Sequence, residues 1–233
     1  MHNPFRDIFR LFFPEVCAVC GDTLPEGGDF ICTACRWEIP LTGFWETKEN
    51  PVSEKFYGHL PVENACAFFF FVHKSDFRGL VHKFKYKGAW RSAENMGRWF
   101  GAELAASPLY ADIDLVVPVP LHLRRRLKRG YNQSEYIARG ISAAMGVPCD
   151  TSSVRRHRYN ESQTGRNRSE RWDNVQDIFS AREGAHLDGR HILLVDDVLT
   201  TGATIVSCGE AILRRFPDCR LSIAVLAAAR NGL

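Results

Sequence analysis

The chain reads as an α/β protein, a parallel sheet flanked by helices, with a four-cysteine zinc module at its N-terminal end. Three observations predict this. From Ala65 onward, apolar runs of strand length alternate with helical patterns, the order that builds a parallel sheet with right-handed crossovers. His191 to Thr204 read HILLVDDVLTTGAT, which spells a strand buried on both faces, an acidic edge, and a loop feeding a helix. Cys17, Cys20, Cys32 and Cys35 stand as C-x2-C-x11-C-x2-C, a spacing that lets two short knuckles converge on one tetrahedral ion.

Composition sets broad bounds. A chain of 233 residues, 45% hydrophobic, holds one large domain or a domain with an appendage. A net charge of +3 argues neither for nor against nucleic acid. No stretch approaches the ~18 uninterrupted apolar residues of a membrane span. Arg6, Asp7 and Arg10 fall where a secretion signal needs an unbroken apolar core, so a cytoplasmic location is expected. For the paired cysteines a disulfide or a redox pair competes with structural Zn²⁺, and the metal is the expected reading. Cys66, Cys149, Cys208 and Cys219 lie singly in or near apolar stretches, where a reduced cysteine acts as a small buried hydrophobe.

The elements follow in order. Phe5, Ile8, Phe9 and Phe12 recur at helical spacing, which predicts a short amphipathic helix over residues 4–13. That helix and the cysteine module make a first unit over 1–40. Prolines, glycines and charges over 41–64 read as a linker packed on the surface, and 65–233 form the main domain. ACAFFFFV from Ala65 predicts a strand, and Phe77, Leu80, Val81 and Phe84 one face of a helix. A further helix is expected over 91–106. Asp114 to Pro120, DLVVPVP, reads as a central strand whose prolines lie at its end, since they cannot donate to a ladder. Asn132 and Glu135 suggest a helix start, Ile137, Ile141 and Ala144 continue its face, and Gly146 and Pro148 end it. A strand over 150–156, an arginine-rich loop over 157–176, the strand of Ile192 to Val195, a helix from Ala203 to Phe216 and a last strand from Leu221 to Ala227 complete the pattern.

The chemistry concentrates after Val195. Asp196 and Asp197 offer two carboxylates able to accept from vicinal sugar hydroxyls and to help hold hydrated Mg²⁺. Thr200, Thr201, Gly202, Ala203 and Thr204 offer backbone N–H groups, hydroxyls and a helix N-terminus suited to a phosphate dianion. A buried strand that merely ends in Asp-Asp is the alternative. Arg124, Arg125, Arg126, Lys128 and Arg129 form either a solvated face or a phosphate-attracting rim. From Arg155 to Arg171 six arginines accompany only two glutamates. That loop suits a lid over a bound anion or a groove for a nucleic-acid backbone, with Tyr131, Tyr159 and Trp172 as stacking platforms or packed aromatics.

At VDDVLTTGAT the sequence resembles the type I phosphoribosyltransferases, whose signature is four apolar residues, two acids and a Thr/Gly-rich phosphate loop. With FKYKG at Phe84 to Gly88, PVPLH at Pro118 to His122, RGYNQ at Arg129 to Gln133 and the four-cysteine module, it resembles the ComF family of competence-associated proteins. SQTGRNRSERWDNV lies between, and Arg166 departs there from the apolar residue more usual after the glycine. The resemblance implies a type I phosphoribosyltransferase fold and binding of 5-phosphoribosyl-1-pyrophosphate (PRPP) with Mg²⁺. It implies Asp196 and Asp197 on the ribose and Val198, Leu199, Thr200, Thr201, Gly202, Ala203 and Thr204 around the 5-phosphate. Lys85, Tyr86, Lys87, Arg129 and Asn132 are further PRPP-binding candidates, although helix-end cations and helix capping account for the lysines and Asn132 equally well. Arg158, Gln163, Arg166, Arg168 and Arg171 are candidates for the diphosphate or for nucleic acid. Single-stranded DNA and DNA-processing proteins of competence are the partners this implies. The closing SIAVLAAARNGL has no aromatic residue to stack on a base, so nucleobase salvage is not expected. The readings that compete are a transferase, a single-stranded DNA-binding accessory and a PRPP sensor.

Overall fold

The computed structural model describes residues 14–25, 27, 30–71, 77, 79–80, 83–84, 89–157 and 178–229. The helix expected over 4–13 lies outside these residues. Four strands form the main sheet: β1 (Ala65–Phe71), β2 (Leu115–Pro118), β5 (His191–Leu199) and β6 (Arg220–Ala229), in the order β1-β6-β5-β2. All neighbours pair in parallel. Strands β3 (Val154–Arg156) and β4 (Phe179–Ala181) pair antiparallel as a separate two-stranded sheet. The strand expected over 150–156 is thus a ribbon beside the main sheet, because its apolar content is too small for a two-sided burial.

Two layers of helix cover the sheet. Alternate residues of β5 point to opposite faces: Leu193 and Val195 pack with α3 (Trp90–Ala106) and α5 (Gln133–Met145). Ile192 and Leu194 pack with α6 (Ala203–Arg215). Phe77, Leu80 and Phe84, each helical and buried, add to the first face. Helices α3 and α5 meet backbone to backbone. A Cβ at Gly97 would lie 2.2 Å from the Ile137 carbonyl oxygen, and one at Gly140 2.1 Å from that of Glu94, so only glycine allows this approach. Helix α5 ends at Gly146 with φ 71°, the left-handed stop expected there.

Residues 41–64 correct the reading of a surface linker. Trp45, Val52, Phe56 and Leu60 are buried in the two cores. Thr42 N–H donates to the Phe68 carbonyl at 3.0 Å and Phe70 N–H to that of Pro40 at 2.9 Å, so this stretch covers the open edge of β1. Asn50 caps the single turn α2 (Pro51–Glu54), accepting from Val52 N–H at 2.9 Å, and its amide donates to the Ala65 carbonyl at 2.9 Å. The prolines and charges that suggested a linker belong to these turns, while Trp45, Val52, Phe56 and Leu60 face inward. Leu60 reaches Gly209 of α6, where a Cβ would lie 2.6 Å from Leu60 Cδ2.

At the amino end of the sheet, buried His191 holds Asp112 Oδ1 at 2.9 Å and Ser222 Oγ at 2.8 Å. Arg220 also pairs with Asp112, at 2.7 Å. Ser222 is fully buried, so this trio fixes the register of β5 and β6 and takes no part in nucleophilic chemistry. Among the described residues no helix is long and apolar enough to cross a membrane. The glycine contact of α3 and α5 makes a direct prediction: Gly140→Ala should lower the unfolding free energy by about 1–3 kcal/mol or more, measured by urea denaturation.

Candidate ligand site at the sheet edge and the cysteine cluster

The site begins where β2 stops. Pro118, its last residue, pairs with Val195, and Val119 N–H donates to the Val195 carbonyl at 2.8 Å. Beyond this point Pro120 cannot continue a ladder, so β5 runs on beside β6 alone, with Val198 opposite Ala227 and Leu199 opposite Ala228. The chain leaves β2 toward α5 on one face and leaves β5 toward α6 on the other. A crevice therefore opens between the two strand ends, the place where open α/β sheets bind ligands.

Asp196 and Asp197 line that crevice, both half-buried. Asp196 Oδ1 accepts from Ser134 Oγ at 2.8 Å and from the Asp197 N–H at 2.9 Å. Leu199 buries its side chain in the core, so only its backbone faces the loop. Thr200 is exposed, Thr201 and Thr204 are half-buried, and Gly202 and Ala203 are buried. Gly202 has φ 84°, and a Cβ there would meet Phe56 Cε1 at 3.3 Å. The 41–64 segment thus forms the floor of the loop. Helix α6 starts at Ala203 with no side-chain cap bond, although Thr201 Oγ1 lies 3.4 Å from the Ala203 nitrogen. The first-turn N–H groups of a 13-residue helix consequently face the crevice side with the positive end of the macrodipole.

The opposite wall is α4 (Leu123–Arg129) and the start of α5. His122 caps α4 by accepting from Arg124 N–H at 3.2 Å. Gly130, φ 84°, turns the chain out of it. Asn132 occupies the N-cap position of α5 but makes no capping bond; its amide donates to the Val119 carbonyl at 3.1 Å. Glu135, expected in a capping box, instead holds Arg139 at 2.6 Å. Arg129 donates to Gln133 Oε1 at 3.1 Å, and the Tyr131 hydroxyl donates to the Phe84 carbonyl. Lys85, Tyr86 and Lys87 follow Phe84 and lie outside the described residues, as do Arg158, Gln163, Arg166, Arg168 and Arg171.

Sequence reasoning missed Ser134, Phe56 and Arg156. Arg156 lies on β3 opposite Phe179, its guanidinium 5.2 Å from that ring. Burial lowers its pKa and the nearby Arg125 lowers it further, while Asp196 opposes them. The signal was the alternation of Val154, Arg155 and Arg156, which turns Arg156 to the side of buried Val154.

In the N-terminal module the thiols of Cys17, Cys20, Cys32 and Cys35 all lie within 4.8 Å of one another. Cys20 and Cys32 Sγ are 3.8 Å apart, the spacing of about 3.8 Å that a tetrahedral ion with bonds of about 2.3 Å to sulfur imposes. Gly21, φ 86°, closes the first knuckle, and Thr33–Glu38 forms the short helix α1 of the second. Burial pushes the Cys17 thiol up, but N–H groups of Cys32, Cys20 and Val19 outweigh it and bring the pKa down to about 6. The module docks on its own domain: Lys83 Nζ donates to the Ala18 carbonyl at 2.9 Å, and the Arg36 guanidinium sits 4.5 Å from the Trp99 ring. The scattered thiols are inert by contrast; burial pushes Cys66 up to about 12 and Cys149 to about 11. Elemental analysis should find one tetrahedral metal per chain, and Cys32→Ala should lose it and lower the melting temperature; metal-free protein of unchanged stability would contradict this cluster.

Residues 131–233 match the family model described as phosphoribosyl transferase domain. Among curated proteins the chain is similar to DNA utilization protein YhgH of Escherichia coli K12, 35% identical over 101 residues, 43% of this chain and 44% of that protein. It is similar also to Competence protein F of Haemophilus influenzae, 33% identical over 93 residues, 40% and 41% of the two chains. With Competence protein ComFC of Bacillus subtilis it shares 31% over 110 residues, 47% and 42%. The match thus spans less than half the length of these relatives. Among solved structures, glutamine PRPP amidotransferase from B. subtilis aligns with TM-score 0.39 and 19% identity over 61% of this chain and 30% of that one. An adenine phosphoribosyltransferase aligns with TM-score 0.37 and 19% identity over 66% and 74%. The acid pair and the loop from Thr200 to Thr204 fall inside the matched region, residues 131–233, which is similar to a phosphoribosyl transferase domain, and the cysteine cluster lies ahead of it.

Proposed function

We propose that this chain binds PRPP at the crevice between β2 and β5, transfers or senses its phosphoribosyl group, and serves DNA uptake in the cytoplasm. The observation that carries the reading is the placement of Asp196 and Asp197 one turn of loop ahead of a Gly202-started helix at the carboxyl edge of the sheet. The carboxylates accept from the ribose 2- and 3-hydroxyls, and each charge-assisted bond contributes roughly 1.5–3 kcal/mol. The backbone and hydroxyls of Thr200 to Thr204 take the 5-phosphate at the helix N-terminus. Asn132, tied to the Val119 carbonyl, holds the turn that faces the diphosphate, with Arg129 on the same wall. Lys85, Tyr86 and Lys87 are further candidates for binding PRPP, and Arg158, Gln163, Arg166, Arg168 and Arg171 are candidates for its diphosphate or for nucleic acid.

Mg²⁺, when bound with PRPP, supplies neutralisation of diphosphate charge, and the oxygen-rich acid pair suits a hard cation. The chain's own part in transfer is to orient C1, to stabilise the departing diphosphate with basic groups and to keep water out. Zn²⁺ is the ion proposed for the four cysteines, in a structural role. Asp197→Ala tests the reading: calorimetry with Mg²⁺ should show PRPP affinity reduced roughly 10- to 100-fold or more, and unchanged affinity would rule the assignment out.

A second reading, single-stranded DNA binding without catalysis, is supported by the relatives' names and by the exposed cations of α4. Its other candidate surface, the arginine-rich loop over 155–171, is tested by Arg166→Ser with Arg168→Ser, which should flatten the salt dependence of DNA affinity; an unaltered slope removes that loop as the DNA-binding surface.

A further inference from the structure

Helix α4, Leu123–Arg129, buries none of its residues. His122 and Gly130 bound it, Arg126 reaches Glu135 at 3.9 Å, and Arg129 donates to Gln133 at 3.1 Å. Leu123 and Leu127 are 64% and 76% exposed, the most exposed large aliphatic side chains among the described residues. Spaced i, i+4, they lie one turn apart on a single face. The helical period sets Arg124 and Lys128 along one side of that pair and Arg126 along the other, and all three are exposed. Arg125 and Arg129, on the back of the helix, are half-buried. The outward face is thus a narrow leucine seam between two cationic margins.

The width and the margins of this seam choose its partner. A helix that turns a face to a core or lies in a bilayer surface presents a broad apolar stripe, whereas α4 offers two leucines on about 10 Å of length. A nucleic-acid strand pairs with cations and stacks its bases on aromatic rings, and α4 has no aromatic residue. A narrow seam with charged margins is instead the geometry of a helix pair, in which the margin charges select the partner by sign. We propose that α4 is a docking site for an acidic amphipathic helix of another protein, whose apolar side chains close on Leu123 and Leu127 while its carboxylates meet Arg124, Arg126 and Lys128. Because α4 is also one wall of the crevice, the partner sits beside the ligand site. This docking face stands whether or not the crevice binds PRPP.

The test replaces Leu127 with a photo-crosslinking amino acid in the full chain in cells, and in a control for chance collisions replaces Glu183, whose side chain is 92% exposed. Irradiation should join position 127, and not position 183, to a segment of another protein in which acidic residues flank an apolar stripe. A synthetic peptide of that segment should bind the purified chain about tenfold more weakly or worse once Leu123→Gln and Leu127→Gln are introduced. Arg124→Gln with Lys128→Gln should weaken it too and reduce the salt dependence. The leucine variant should melt at the temperature of the unsubstituted protein. An adduct with lipid, nucleic acid or a second copy of this chain overturns the proposal, as does no adduct beyond that at position 183 or a captured segment without acidic residues. Unchanged peptide affinity in the leucine variant also overturns it, and a lower melting temperature does so by showing that the leucines are packed by their own chain.

Discussion

Strand β5 is buried on both faces from Ile192 to Val195, and a strand so placed carries charge only where its surroundings open. The opening comes from β2, whose prolines end its ladder opposite Val195. Asp196 is the next residue. The position of the acid pair is therefore set by two sequence features read together, the last aliphatic residue of β5 and the prolines of the neighbouring strand. The crossovers then diverge to opposite faces, so the loop with Gly202 and the turn with Asn132 form the two walls of one crevice.

That crevice depends on packing well outside it. Phe56 lies under Gly202 at the N-cap of α6 and Leu60 against Gly209 within it, so the segment before the first strand sets the height of the loop from Thr200 to Thr204. On the other face α3 and α5 meet at their glycines, and the start of α5 puts the Ser134 hydroxyl on Asp196. The cysteine module is joined to this face through Lys83 and through Arg36 on Trp99. Its thiol cluster holds together a small unit that shares a continuous core with the domain.

Much of this was legible in the sequence because periodicity and turn chemistry are local. The buried strand, the acidic edge, the glycine-started helix and the cysteine spacing each announce themselves within a short stretch of sequence. What was not legible is long-range. The stretch over 41–64 reads as polar because its prolines, glycines and charges dominate; Val52, Phe56 and Leu60 do recur every four residues, but only Pro51–Glu54 is α-helical and three positions are too few to mark a buried face. Asn132 has the identity and position of a capping residue, yet its amide goes to Val119, a choice made by the neighbouring strand end. Arg156 reads as one more cation in a basic loop; only the β3 to β4 pairing turns it toward the core.

The central claim is that the loop after β5 is a phosphate cradle for a phosphorylated ribose. It is tested most directly by following backbone amide resonances while ribose 5-phosphate and Mg²⁺ are titrated into the metal-loaded protein. The account predicts saturable shifts that are largest at Thr200 to Thr204, with smaller ones at Asp196 and Asp197. Shifts confined to the arginines of α4, or rising without saturation, would show a nonspecific cationic surface and contradict it.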